Sequence, residues 1–147
     1  MAGIDFILDT SVLVKALVPE PGSDRAAALL ARAVGANGRL VAPAFSWTEV
    51  GSVLLKKVRT GEMDSKGAGD LWADVLGLGI EYLDGDSIRE AAWRIASEYG
   101  LPSLYDAAFL ATAEVLCAQG SGVEFWTADL DLVGALGSKA PAYVHVL

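Results

Sequence analysis

Short apolar runs alternate along the chain with stretches whose apolar residues recur every three or four positions. The first run holds Ile4, Phe6, Ile7 and Leu8 and stops on a carboxylate, Asp9. A short, β-branched and aromatic run of this kind predicts a buried strand. Thr10 and Ser11 then open an apolar segment, 12–17, read as a short helix. Pro19, Glu20, Pro21 and Gly22 form a turn, and Ser23 and Asp24 start a helix through Val34 with Ala26, Leu29, Leu30 and Ala33 on one face. Residues 40–42 predict a second strand, and Pro43 suits the first turn of a helix running to about Arg59. A further amphipathic helix starts at Asp64 and carries Leu71, Trp72, Val75 and Leu76. Residues 80–83 predict a third strand. Asp86 or Ser87 caps a helix through Tyr99, which Gly100 stops. The most apolar helix spans 104–118. A fourth strand at 123–127, a short helix at 130–136 and a last strand at 143–146 complete the chain. Strands alternate with helices throughout, which predicts an α/β fold with a parallel sheet of four to five strands and helices on both faces.

Length, charge and sulfur narrow the picture. At 147 residues the expectation is a single domain. A chain of this size buries roughly 70% of its unfolded surface and needs no disulfide or metal staple. The hydrophobic fraction of 53% leaves apolar surface for partners. A net charge of −8 excludes a nucleic-acid coat that works by global attraction, so contact with nucleic acid must be local or metal-mediated. The single cysteine, Cys117, excludes an internal disulfide, fits a reducing, cytoplasmic setting, and reads as a small buried hydrophobe. The single histidine, His145, lies in the last strand and reads as structural, which ranks Ser-His and Cys-His catalysis low. No basic leader is visible, and the longest apolar run, 107–118, is interrupted by Glu114 and too short to span a bilayer.

Four carboxylates stand out from the turns and polar faces that hold most of the acids. Asp9 ends the first strand, Glu49 lies in the apolar turn Phe45-Ser46-Trp47-Thr48-Glu49-Val50, Asp106 opens the most apolar helix, and Asp129 follows the fourth strand. Each has an ordinary alternative. Asp9 and Asp129 suit N-caps, and Ser46 with Glu49 and Ser103 with Asp106 have the spacing of capping boxes. Taken jointly, two of the acids lie beyond strand ends, where open α/β sheets bind ligands. If all four converge, repulsion raises their pKa values and a hard divalent cation relieves it. Oxygen donors without His or Cys select Mg²⁺ or Mn²⁺.

The ordered set Asp-Thr-Ser, Trp-Thr-Glu-Val, Leu-Tyr-Asp-Ala-Ala-Phe-Leu-Ala and Thr-Ala-Asp resembles the PIN-domain ribonucleases of the VapC toxin type over essentially the whole chain. The resemblance implies a three-layer α/β/α domain with the first strand in the middle of the sheet. It maps Asp9, Glu49, Asp106 and Asp129 onto the family's acidic positions, with Asp9 and Asp106 as primary metal ligands and Ser11 and Thr127 in support. Asp131 is a possible substitute for Asp129. The implied activity is Mg²⁺- or Mn²⁺-dependent cleavage of single-stranded RNA by metal-activated water. The implied partners are a single-stranded or structured RNA substrate, an antitoxin protein and a second copy of the chain.

Cations near the acids must offset phosphate repulsion. Lys15 is the first candidate, followed by Lys56, Lys57 and Arg59 at the end of the Glu49 helix, where they also complement the helix dipole. The helices at 44–59 and 64–76 are the expected walls of a partner groove. The aromatic set Phe45, Trp47, Trp72, Trp93 and Trp126 reads mostly as core. A haloacid-dehalogenase reading lacks its second aspartate, because Ser11 occupies that position, and a P-loop reading lacks its glycines. A non-catalytic interaction module and a housekeeping RNA-processing nuclease remain as alternatives.

Overall fold

A computed structural model describes residues 3–35 and 37–147 of the chain. Five strands form one sheet: β1 (Ile4–Leu8), β2 (Arg39–Pro43), β3 (Glu81–Leu83), β4 (Gly122–Thr127) and β5 (Val144–Val146). Their order is β3-β2-β1-β4-β5 and every pairing is parallel. Among the described residues the α-helices are α1 (Thr10–Leu17), α2 (Ser23–Gly35), α3 (Ser46–Arg59), α4 (Ser65–Gly77), α5 (Asp86–Tyr99), α6 (Leu104–Ala118) and α7 (Leu130–Leu136). The α/β expectation and the central first strand both hold.

The alternation along β1 explains the layers. Side chains of consecutive strand residues point to opposite faces. Phe6 and Leu8 pack with Val12, Leu29, Ala33 and Leu40 under α1 and α2. Ile7 packs on the other face with Ile95, Phe109, Leu110 and Phe125 under α5 and α6. A strand covered on both faces reads as a continuous apolar run, which is why β1 is so legible. Two smaller clusters attach α3 and α4, one through Val14, Leu54 and Ala68 and one through Leu13, Val50 and Val75. At Gly51 an added Cβ would lie 3.1 Å from the Trp72 ring, so this glycine sets how closely α3 and α4 approach.

Several local expectations need correction. Pro43 ends β2, in register with Leu83, instead of opening α3. A residue without an N–H is tolerated at a strand end, and the next donor, Ala44 N–H, bonds to the Leu83 carbonyl. Asp86 is the first helical residue of α5 and not its cap. The cap position is Gly85, at φ 149°, because Asp84 accepts the Gly85 N–H and pairs with Arg89. Gly100 stops α5 in the left-handed region, as expected. Cys117 is exposed, since Ala113 and Leu116 take the inward positions of that turn. Trp47 and Trp93 are also exposed rather than core. His145 stacks on Trp126 with centroids 4.9 Å apart, a packing role. Among the described residues, no single helix is long and apolar enough to cross a membrane.

Candidate metal centre at the carboxyl end of the sheet

Neighbouring connections diverge at β1. The strand pairs with β2 on one side and β4 on the other, so a crevice opens beyond its carboxyl end. Asp9 sits there, buried, with its N–H bonded to the Trp126 carbonyl of β4. Parallel register brings Leu8 opposite Trp126, which sets Thr127 beside Asp9.

The Asp9 carboxylate is held on both oxygens. Oδ1 accepts the Ser11 hydroxyl at 2.5 Å and the Val12 N–H at 3.1 Å, and Oδ2 accepts the Thr127 hydroxyl. The hydroxyls are held in turn: Ala128 N–H donates to Ser11 at 3.3 Å and Asp129 N–H donates to Thr127 at 3.0 Å. Asp9 therefore caps α1, the ordinary role, and is also fixed in orientation by two hydroxyls, which a cap does not require. The positions assigned to Ser11 and Thr127 touch Asp9 directly.

The capping-box alternatives for the other acids fail. Ser46 is already inside α3 and buried, and the cap position, Phe45, makes no side-chain bond. Ser103 occupies the cap of α6 without a side-chain bond. Glu49 instead accepts the Thr10 hydroxyl at 3.1 Å. Thr10 is the contact that sequence reasoning passed over; its place next to Asp9 in a Thr-Ser pair was the available signal. Asp129 does cap α7, with Oδ1 accepting the Asp131 and Leu132 N–H groups. Asp131 is exposed in the first turn of α7.

The charges crowd. Burial pushes the Asp9 carboxyl up from its ordinary pKa, against the pull of its hydrogen bonds, and Asp129 raises it further. Burial raises Glu49, with Asp106 and Asp9 adding repulsion. Burial raises Asp106, with Asp129 and Asp9 adding theirs. Asp131 is not among the charges acting on these three. Among the described residues, no ion pair engages any of the four acids. Half-buried carboxylates that repel one another and have no internal cation fit a hard divalent ion by donor chemistry. The arrangement is open: no group of three or more His, Cys, Asp or Glu side chains among the described residues is close enough to enclose an ion.

Lys15 lies near the other end of α1, where its ammonium meets Glu20 at 3.5 Å and the Pro21 carbonyl at 3.1 Å. Lys57 pairs with Glu62 and Glu20. Lys56 and Arg59 are exposed. A cleft beside Glu49 is bordered by Thr10, Thr48, Ser52, Phe45 and Tyr105.

Comparison with known proteins agrees with the fold. The chain resembles the crystal structure of PAE2754 from Pyrobaculum aerophilum, with TM-score 0.65, 21% identity, and coverage of 97% of this chain and 89% of that one. It also resembles VapBC2 from Rickettsia felis, solved bound to a DNA fragment from their promoter, with TM-score 0.56, 13% identity and 97% coverage of both chains. No curated protein matches the chain. The family model of the PIN domain matches residues 6–133, and the chain therefore belongs to the PIN-domain family.

Proposed function

We propose that the chain is a Mg²⁺- or Mn²⁺-dependent endoribonuclease, a single domain over 1–147, that hydrolyses single-stranded RNA. The observation that carries this reading is the clamped, cation-free Asp9 amid three further acids at the sheet's carboxyl end. Asp9 and Asp106 would be the principal metal ligands, with Glu49 and Asp129 completing the set. A divalent ion, when bound, supplies positive charge at the phosphodiester and lowers the pKa of water. Ser11 and Thr127 keep the Asp9 carboxylate in one orientation, and Thr10 does the same for Glu49. Fixed acceptors of this kind cost no reorganisation as charge develops. Attack by water would leave a 5′-phosphate and a 3′-hydroxyl.

The role fits the toxin of a toxin–antitoxin pair, acting in the cytoplasm. A groove of about 430 Å³ between α3 and α4, with Trp47, Leu55, Val58 and Trp72 along it, suits an amphipathic helix of an antitoxin. Leu55 on its rim is 70% exposed. That a structure of the same fold is a VapBC2 complex is consistent with such a partner. The apolar surplus of the chain also favours a homodimer with an isologous interface above ~1,000 Å².

End-labelled single-stranded RNA incubated with the purified chain tests the activity. Cleavage is expected in Mg²⁺ or Mn²⁺ and not in EDTA; undiminished cleavage in excess EDTA would overturn it. Sedimentation equilibrium at micromolar concentration tests the dimer.

A further inference from the structure

We infer that the apolar pocket between the ends of β2 and β3 and the helices α5 and α6, walled by Tyr105, receives the nucleobase next to the scissile phosphodiester of a single-stranded RNA. The inference rests on the nuclease reading above and names a part of its substrate that the acids do not touch.

The pocket measures about 480 Å³, within the range of small-molecule sites. Leu83, Ile88, Ala92, Leu104 and Ala108 make it apolar. Phe45 and Tyr105 border both this pocket and the cleft that holds Glu49 and Thr10. The pocket thus adjoins the Glu49 cleft across a wall of two aromatic rings, and Tyr105 immediately precedes Asp106 in the chain. Phe45 stands edge-on to Tyr105 at 5.3 Å and edge-on to the buried Phe109 at 6.0 Å. That contact ties Tyr105, 58% exposed, to the core through a fixed neighbour.

Charge selects the occupant. The chain carries −8, and of its eleven cations only Arg25, Lys56, Arg59 and Lys139 stand outside an ion pair among the described residues. Phosphate contacts therefore supply less of the affinity than in a basic RNA-binding protein. Base stacking on an aromatic ring is independent of net charge, and every base has a π-face. The polar groups beside the pocket, Asp84 and Arg89, bond to each other at 2.7 and 3.0 Å. With that pair formed, the rest of the lining is mostly apolar, which favours bases by stacking and size over edge recognition.

The test uses one cleavable oligoribonucleotide with a single abasic ribose, or a single 2-aminopurine, moved along it. With wild type, an abasic residue at one position beside the cut should raise KM on the order of ten- to a hundred-fold. 2-Aminopurine at that position should be quenched on binding. Tyr105→Ala should raise KM for the intact RNA similarly, make the abasic change cost nothing more, and abolish the quenching. Tyr105→Phe should behave as wild type. A flat abasic scan, or abasic and Tyr105→Ala effects that multiply independently, overturns the inference while cleavage itself upholds the nuclease. Conversion of a dimer to a monomer by Tyr105→Ala, with independent effects, assigns the pocket to a second copy of the chain and also overturns it. Absence of cleavage by wild type in both metals removes the nuclease reading and this inference with it.

Discussion

Strand β1 has one carboxylate near its start and another just past its end, and the two are almost equally buried, Asp5 at 5% and Asp9 at 6% exposure. Their surroundings are opposite. Arg39, from the neighbouring strand, grips both oxygens of Asp5 at 2.9 Å and holds its carboxyl below the ordinary pKa. Asp9 meets hydroxyls and a backbone N–H, pairs with no cation among the described residues, and repels Asp129, Glu49 and Asp106; burial raises its pKa. Burial alone therefore says little about a carboxylate's purpose. A buried acid with its own cation is a closed structural unit. A buried acid without one is held at a cost that a proton or an external cation relieves, and such groups are candidates for functional sites.

Removing charge at each end should separate the two roles, and the largest effect belongs to Asp9. Asp9→Asn is expected to lower RNA cleavage on the order of a thousand-fold or more. Stability at neutral pH should hold or rise, because a repelled charge is removed and the cap survives. A Tm that falls sharply, with activity lost only through unfolding, would make Asp9 structural like Asp5. Asp5→Asn should do the reverse. It leaves Arg39 facing a neutral amide and should cost about 1–3 kcal/mol of stability, below the usual value for a broken buried pair because Arg39 is half exposed. Specific activity of the folded fraction should stay within about two-fold, measured after chemical denaturation has established that fraction.

Proton linkage sharpens the same contrast. Asp9, Glu49 and Asp106 have raised pKa values, so the native state binds their protons more tightly than the unfolded chain does. Their contribution to stability is most favourable below the ordinary carboxylate pKa and is lost as pH rises through the raised values. Asp5 contributes stability above its ordinary value of 3.8 that is lost as pH falls through its lowered one. On the proposed reading Mg²⁺ would compete with protons for the first group alone. At a hundred-fold excess over Kd it should add about 2.7 kcal/mol at pH 7, a rise in Tm of roughly 5–10 °C. Near pH 4.5 the rise should be clearly smaller. Equal shifts at both pH values, or the same shift in Asp9→Asn, would place the ion elsewhere.

The contrast also marks where the sequence could be read and where it could not. Strand β1 is buried on both faces beyond Ile4 and strand β4 is half-buried; both leave short, mostly apolar runs whose ends lie within a residue of the expected ones. Asp9 was visible because it interrupts such a run. Asp5, flanked by Ile4 and Phe6, has no such signal, since its partner Arg39 is 34 positions away and no local pattern announces the pair. Pro43 has the same chemistry at a strand end as at a helix start, and only the register with Leu83 decides. The serines before Glu49 and Asp106 have capping-box spacing, yet neither bond forms, and spacing alone does not contain that fact. The exposure of Trp47 and Trp93 depends on which face of each helix the rest of the fold covers, which composition alone does not supply, and Cys117 is exposed because Ala113 and Leu116 take the inward positions of its turn.

The smallest expected effect applies the test of pairing to a cation. Lys15 follows the Asp9 motif by six positions and is proposed to help bind RNA. Its ammonium lies with Glu20 at 3.5 Å and the Pro21 carbonyl, with about a quarter of the side chain exposed. A partly exposed pair of this length is worth only about 0–1 kcal/mol, so a phosphate can draw the lysine away cheaply. The gain from doing so is correspondingly modest. Lys15→Glu is expected to raise the Kd for single-stranded RNA by roughly two- to five-fold at ~100 mM salt, and to reduce the slope of log K against log salt by about one. Lys15→Gln should show the same change in slope with a smaller change in affinity, because it removes the contact without adding repulsion. An unchanged slope in both variants, measured by anisotropy across a salt series, would make Lys15 the counterpart of Arg39: a cation committed to its own carboxylate and to the turn it holds.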